Sequence, residues 1–150
     1  MTTHSNDDLD DDLDDDLEEP DLSDPGQIPI AALANDRIVH ASPDVTIREA
    51  AKKLHEEEIG LLVLSDDSGV CGVVSERDIV RAVSSEVNLD ARVTAIASTG
   101  AVRWTSSTAS VAEVADEMMR SYVRHILIAS DDGTPAGIVS MRDLLATIVD

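Results

Sequence analysis

Phenylalanine is missing from this 150-residue chain, Trp104 and Tyr122 are its only aromatic residues, and lysine occurs only at Lys52 and Lys53. Clusters of Lys and Arg are absent as well, which argues against nucleic acid as a partner, because the affinity of phosphate backbones comes from such clusters. Cys71 is the single cysteine, so an internal disulfide is excluded. With His4, His40, His55 and His125 scattered along the chain, it gives no metal-ligand spacing, and a small strand residue is its plainest reading. No run approaches the roughly 18 apolar residues of a membrane span, and the N-terminus lacks the basic and apolar regions of a secretion signal. The expectation is a soluble cytoplasmic protein with no membrane partner.

Acid is what the chain has in excess. The formal net charge is -20, and residues 1–24 hold ten Asp and two Glu with no Lys or Arg. The remainder is still acidic, with 19 acids against 11 bases. Such Asp-rich, Lys-poor composition suits a cytoplasm of very high salt, where screening removes the self-repulsion, and reads as halophilic. The opening "DDLDDDLDDDLEEPDLSD" places Leu9, Leu13 and Leu17 four apart. That spacing would draw a thin apolar stripe on a partner-binding helix, but stacked like charges favour disorder. Pro20 and Pro25-Gly26 close this tail, taken as residues 1–26.

Beyond the tail the chain repeats itself. "GVVSERD" at Gly72–Asp78 returns as "GIVSMRD" at Gly137–Asp143, with five of seven positions identical and the copies 65 residues apart. At about one domain in length, the chain reads as two half-sized units sharing a core. Each unit opens on a short apolar strand, Ile38–His40 or Val102–Trp104. A capping box follows, Thr46-x-x-Glu49 or Ser110-x-x-Glu113, in which hydroxyl and carboxylate satisfy free backbone donors at a helix start. Val111, Val114, Ala115, Met118, Met119 and Tyr122 keep helical spacing and predict one apolar face. Ile47, Ala50, Ala51 and Leu54 repeat this more briefly. Apolar runs Leu61–Leu64 and Ile126–Ala129, turns "SDDSG" and "SDDGTP", a second strand and a last helix complete each unit. The extra turn residue in the second copy accounts for the change of offset from 64 to 65. The fold class is therefore α/β (α+β), with two β-α-β-β-α units at residues 27–85 and 86–150.

Over about residues 27–149 this pattern resembles the tandem CBS domains, named for cystathionine beta-synthase. That family's motif of Gly, an apolar residue, any residue, Ser or Thr, two further residues and Asp is met twice. The resemblance implies two units paired about a pseudo-twofold axis. It also implies an adenine nucleotide, AMP, ADP or ATP, in the cleft between them, or in some members S-adenosylmethionine or NAD. Asp78 and Asp143 would accept from ribose hydroxyls, with Ser75 and Ser140 near phosphate and Gly72 and Gly137 within the same phrases. A carboxylate suits vicinal hydroxyls, and helix-start N–H groups suit an anion. Ser75-x-x-Asp78 and Ser140-x-x-Asp143 also have capping-box spacing, so helix capping is an alternative task for both pairs.

Arg124 and His125 enter a strand where family members carry phosphate-facing bases, with Arg103 as a further candidate. The aligned first-unit residues are Gly60 and Leu61, so the two clefts should differ. Arg77 and Arg142 fit a salt bridge, a dimer contact or a ligand contact. His40 and Trp104 take equivalent places beside the implied adenine pocket, where Trp104 either stacks on a base or packs. The Pro common in the family's strand after the first helix is absent, with Leu62-Val63 and Ile126-Leu127 in its place.

Nothing marks catalysis: no Ser-His-acid context, no Gly-rich loop with Lys, no paired metal ligands. The resulting expectation is a regulatory, non-enzymatic ligand sensor that dimerises through its helices and acts on a separate protein. A ligand-free assembly module is the alternative.

Overall fold

A computed structural model describes residues 23–98 and 102–149. The apolar stripe of Leu9, Leu13 and Leu17 in the acidic tail lies outside these residues. In chain order the elements are β1 (His40–Ala41), α1 (Ile47–Glu56), β2 (Leu61–Asp66), β3 (Gly69–Ser75), α2 (Glu76–Ser84), β4 (Trp104–Ser106), α3 (Val111–Ser121), β5 (His125–Ala129), β6 (Pro135–Ser140) and α4 (Met141–Val149). Short 3-10 turns stand at Pro25–Gln27, Ile30–Ala32 and Val93–Ala95.

Each helix begins where a hydroxyl and a carboxylate three residues apart can exchange bonds with the backbone. The Thr46 hydroxyl accepts the Glu49 N–H at 3.0 Å, and the Glu49 carboxylate accepts the Thr46 N–H at 3.2 Å. Ser110 and Glu113 do the same for α3, at 3.2 and 3.4 Å. The repeated phrase supplies the other two boxes. Ser75 Oγ accepts the Asp78 N–H at 3.2 Å while Asp78 Oδ2 accepts the Ser75 N–H at 2.9 Å. In α4 the corresponding distances are 3.2 Å and, for Ser140 N to Asp143 Oδ2, 2.8 Å.

Two three-stranded sheets result, ordered β1-β2-β3 and β4-β5-β6, each with one parallel and one antiparallel pair. The equivalent registers His40↔Val63 and Trp104↔Leu127 express the duplication in space. The first strands begin two residues later than the sequence suggests. Ile38 N–H turns back to Asp36 O, and ladder bonding starts at the Val39 and Arg103 carbonyls, which accept Val63 N–H and Leu127 N–H at 3.0 Å each.

The helix spacing also misleads at the end of α3. Val111, Val114 and Met118 are buried, whereas Met119 is 70% and Tyr122 87% exposed. The helix stops at Ser121, and Tyr122 adopts φ 56°, a left-handed cap that carries its ring off the helical face.

The two cores are closed crosswise. Ile30, wholly buried, packs with Val111, Met118, Ile126 and Val139 of the second unit. Its N–H donates to Ala109 O at 2.7 Å, and Asn35 and Ile138 exchange both backbone bonds at 2.9 Å. Conversely Val93, with Ile96 and Ala97, packs with Leu54, Leu62 and Val74 of the first unit. Val93 N–H donates to Val45 O at 2.8 Å, and Ser98 pairs with Val73. The leader before each unit therefore completes the core of the other. Gly137 permits one of these crossings, since a Cβ there would stand 3.1 Å from Ala34 Cβ and 3.3 Å from Asn35 O.

Candidate functional site

A cleft of about 320 Å³ opens between the units. One wall is the start of α2, with Ser75, Glu76, Arg77, Asp78 and Arg81. The opposite wall comes from the second unit, with Arg103 beside β4 and Tyr122, Val123, Arg124 and His125 at the entry to β5. Leu61, Val73, Val102 and Leu127 supply apolar lining, and Ser98 brings in one of the crossing leaders. The cleft thus has an apolar portion and a charged rim, a combination that accepts a flat ring carrying a polar arm.

The Asp78 carboxylate is held ready by the cap that uses it. Oδ2 is engaged by the Ser75 N–H, and Oδ1 lies 3.9 Å from Arg81 Nη1. The side chain is only 14% exposed. A carboxylate offers about four lone-pair sites, so capping and acceptance of ligand hydroxyls are compatible. Glu76 N–H is taken by Gly60 O at 3.1 Å. The Arg77 N–H, next in line, has no acceptor within α2 and is the donor that a helix start offers to an anion.

Four of the chain's nine arginines, Arg77, Arg81, Arg103 and Arg124, border the cleft of a chain whose net charge is -20. Arg81 faces Asp78, and Arg103 lies 3.7 Å from Glu117. Among the described residues Arg77 and Arg124 form no ion pair. Two guanidinium groups are thus free for a polyvalent anion, and planar N–H forks suit phosphate oxygens. Burial holds the His125 imidazole below its usual pKa. Asp143 and Glu76 pull against that shift, and Arg124 adds to it.

The structure brings Ser75, Arg77, Asp78, Arg124 and His125 together, with Arg103 beside them, and leaves the remaining candidates elsewhere. Ser140 and Asp143 cap α4 outside this cleft, although Asp143 acts electrostatically on His125. Gly72 and Gly137 sit buried in β3 and β6, opposite Leu64 and Ile128. The exposed His40 Nδ1 lies 3.0 Å from Ser65 Oγ, and Trp104, 38% exposed, lies on β4. Neither lines the cleft. Sequence reasoning missed Glu76, Arg81, Gly60 and Tyr122. For Glu76 the signal was available, since it is the first residue of the helix that the phrase begins. Cys71 sits half-buried in β3, where its Sγ lies 3.4 Å from Leu64 O and burial raises the thiol pKa. No group of three or more His, Cys, Asp or Glu among the described residues could hold a metal ion. No described helix is long and apolar enough to cross a membrane.

Paired β-α-β-β-α units, with a cleft where one unit's helix start meets the other's strand entry, define a two-fold repeated module. Residues 30–85 and 93–150 each match the CBS domain, and the chain belongs to that family. It is similar to an uncharacterized 17.7 kDa protein of Acidianus ambivalens, at 34% identity over 122 residues, which cover 81% of this chain and 73% of that one. Among solved structures it resembles an uncharacterized conserved protein from Pyrococcus horikoshii, with TM-score 0.76, 25% identity and coverage of 85% of this chain and 96% of that one. It also resembles a CBS domain protein from Pyrobaculum aerophilum complexed with AMP, with TM-score 0.71, 31% identity and coverage of 82% and 100%.

Proposed function

We propose that this chain is a ligand-sensing regulatory module that binds an adenine nucleotide in the cleft bordered by Asp78 and Arg124. The observation that carries this reading is the convergence of Ser75 and Asp78 from one unit with Arg124 and His125 from the other. The AMP held by the similar Pyrobaculum aerophilum protein supports it. Sugar hydroxyls meet the Asp78 carboxylate, the base enters the apolar portion, and phosphate meets Arg77, Arg124 and the free Arg77 N–H. AMP, ADP and ATP fit the cationic rim better than S-adenosylmethionine, which brings no phosphate; NAD is the bulkier alternative. The ligand acts as an effector and is not turned over, since the Ser75 and Ser140 hydroxyls are engaged as helix caps.

A ligand that touches both units favours one of their arrangements over another, and that difference is what a regulated partner protein would read. The composition supports a cytoplasm of high salt as the setting. Val80 and Val83 on α2 and Leu145, Ile148 and Val149 on α4 are more than half exposed. These apolar faces support homodimerisation through the helices, and they are also the observation favouring a ligand-free assembly module.

Thermal unfolding of the full chain at multimolar salt, with AMP, ADP, ATP, adenosine and S-adenosylmethionine in turn, separates the two readings. A ligand at 100 times its Kd adds about 2.7 kcal/mol of stability, and Arg124→Ala should remove most of the difference between AMP and adenosine. No shift with any of the five favours assembly alone.

A further inference from the structure

His125 occupies a place that the rest of the fold makes for it. Its Nε2 and Cε1 lie 3.1 and 3.2 Å from the point where a Cβ on Gly60 would stand, and the Glu76 carboxyl carbon is 3.9 Å from the same point. Gly60 O meanwhile accepts the Glu76 N–H at 3.1 Å, so glycine, imidazole and the first turn of α2 form one contact. On its other side His125 stands opposite Ser140 in the β5–β6 ladder, and Ser140 starts the helix that carries Asp143. The charged groups acting on the ring are Glu76 from α2, Asp143 from α4 and Arg124, the residue just before β5. The first unit has Leu61 at the equivalent position, so nothing mirrors this arrangement.

We propose that Gly60 is a positioning residue for His125: its missing Cβ seats the imidazole between the starts of α2 and α4, where it takes up a proton together with a phosphate-bearing ligand. This rests on the nucleotide reading above. Without ligand, burial favours the neutral ring. Two carboxylates nearby are already placed to stabilise the imidazolium, and a phosphate dianion beside Arg124 completes its surroundings. The proton comes from solvent, and only the second ring N–H bond is formed. Because the complex holds the proton more tightly than the free protein, the contribution of His125 to affinity is greatest at low pH. The gain is lost as pH rises through the value His125 has in the complex.

The test is calorimetry of the full chain with AMP between about pH 5.5 and about pH 8.5, in two buffers of different ionisation enthalpy, with wild type, His125→Gln and Gly60→Ala. Phosphate monoesters titrate near pH 6 themselves, so the readout is the ratio of wild-type to variant affinity. That ratio should rise by roughly tenfold toward the acid end, the equivalent of one pKa unit of coupling. Wild type should absorb protons on binding AMP but not adenosine. Gly60→Ala should lose the acid-side gain measured against its own affinity at the alkaline end, and the His125 ring signal in NMR should titrate differently in that variant. If AMP binds and the profiles of wild type and His125→Gln coincide, the proton coupling fails and the nucleotide reading stands. A wild-type profile for Gly60→Ala removes the positioning role. If AMP fails to bind at every pH, both readings fall.

Discussion

Replacing Asp78 and, separately, Asp143 with Ala tests the site against the capping chemistry that both residues perform. The two carboxylates are matched controls: each accepts the N–H of the Ser three residues before it, at 2.9 Å for Asp78 and 2.8 Å for Asp143. Loss of either bond should destabilise the chain by about 1 kcal/mol, a few degrees in Tm. The Arg81 contact at 3.9 Å adds little, because Arg81 is 68% exposed and exposed pairs contribute ~0–1 kcal/mol. Asp78 alone borders the cleft with Arg124. Its replacement should also remove hydrogen bonds from sugar hydroxyls to a charged acceptor, each about 1.5–3 kcal/mol, and so weaken AMP binding by roughly 10- to 100-fold. At alkaline pH, where His125 stays neutral, Asp143→Ala should leave affinity within a few-fold. Urea unfolding supplies the stability of each variant and calorimetry its affinity. Equal loss of affinity in the two variants, or loss tracking stability in both, would refute the assignment of the sugar to Asp78.

Three further outcomes are expected. Ile30→Ala should cost about 2–4 kcal/mol, the usual range for an emptied core isoleucine, and hydrogen exchange should accelerate in β5 and β6 before β2 and β3. Val83→Asp and Ile148→Asp should each shift the mass seen by light scattering toward a monomer; unchanged masses would remove the helices as a dimer surface. The ligand-free chain should lose stability as pH falls through the usual range of histidine. The sign follows from the depressed folded-state pKa of His125: the unfolded chain takes the proton first, so acid favours unfolding until the folded ring is protonated too. His125→Gln should flatten that part of the curve, and AMP should partly restore the lost stability in wild type.

The parts of the fold legible in the sequence are those decided within four residues. Thr46 with Glu49 and Ser110 with Glu113 announced α1 and α3, because a capping box is local chemistry and works without tertiary help. The turns and the order of elements were readable for the same reason. What escaped was set by distance. Nothing in "IPIAAL" says that Ile30 belongs to the core containing Val139, since that pairing is fixed by how the units dock. Tyr122 kept helical spacing with Met118, yet the helix ends one residue earlier, and periodicity cannot register a left-handed cap. The two phrases read as equal, so both Asp78 and Asp143 were candidates. That Arg124 faces Asp78 across the cleft depends on the docking of one unit on the other.

The crossed leaders have a consequence for how such a protein could arise. A lone copy of the repeat would have no hydrophobic plug for its own sheet and helices, because the fragment that plugs it is borrowed. Two separate copies would have to trade fragments, making folding a bimolecular event that fails on dilution. Joining them in one polypeptide turns that trade into an intramolecular step whose rate no longer depends on concentration. After fusion the copies could diverge, and a histidine in one could settle against a glycine in the other.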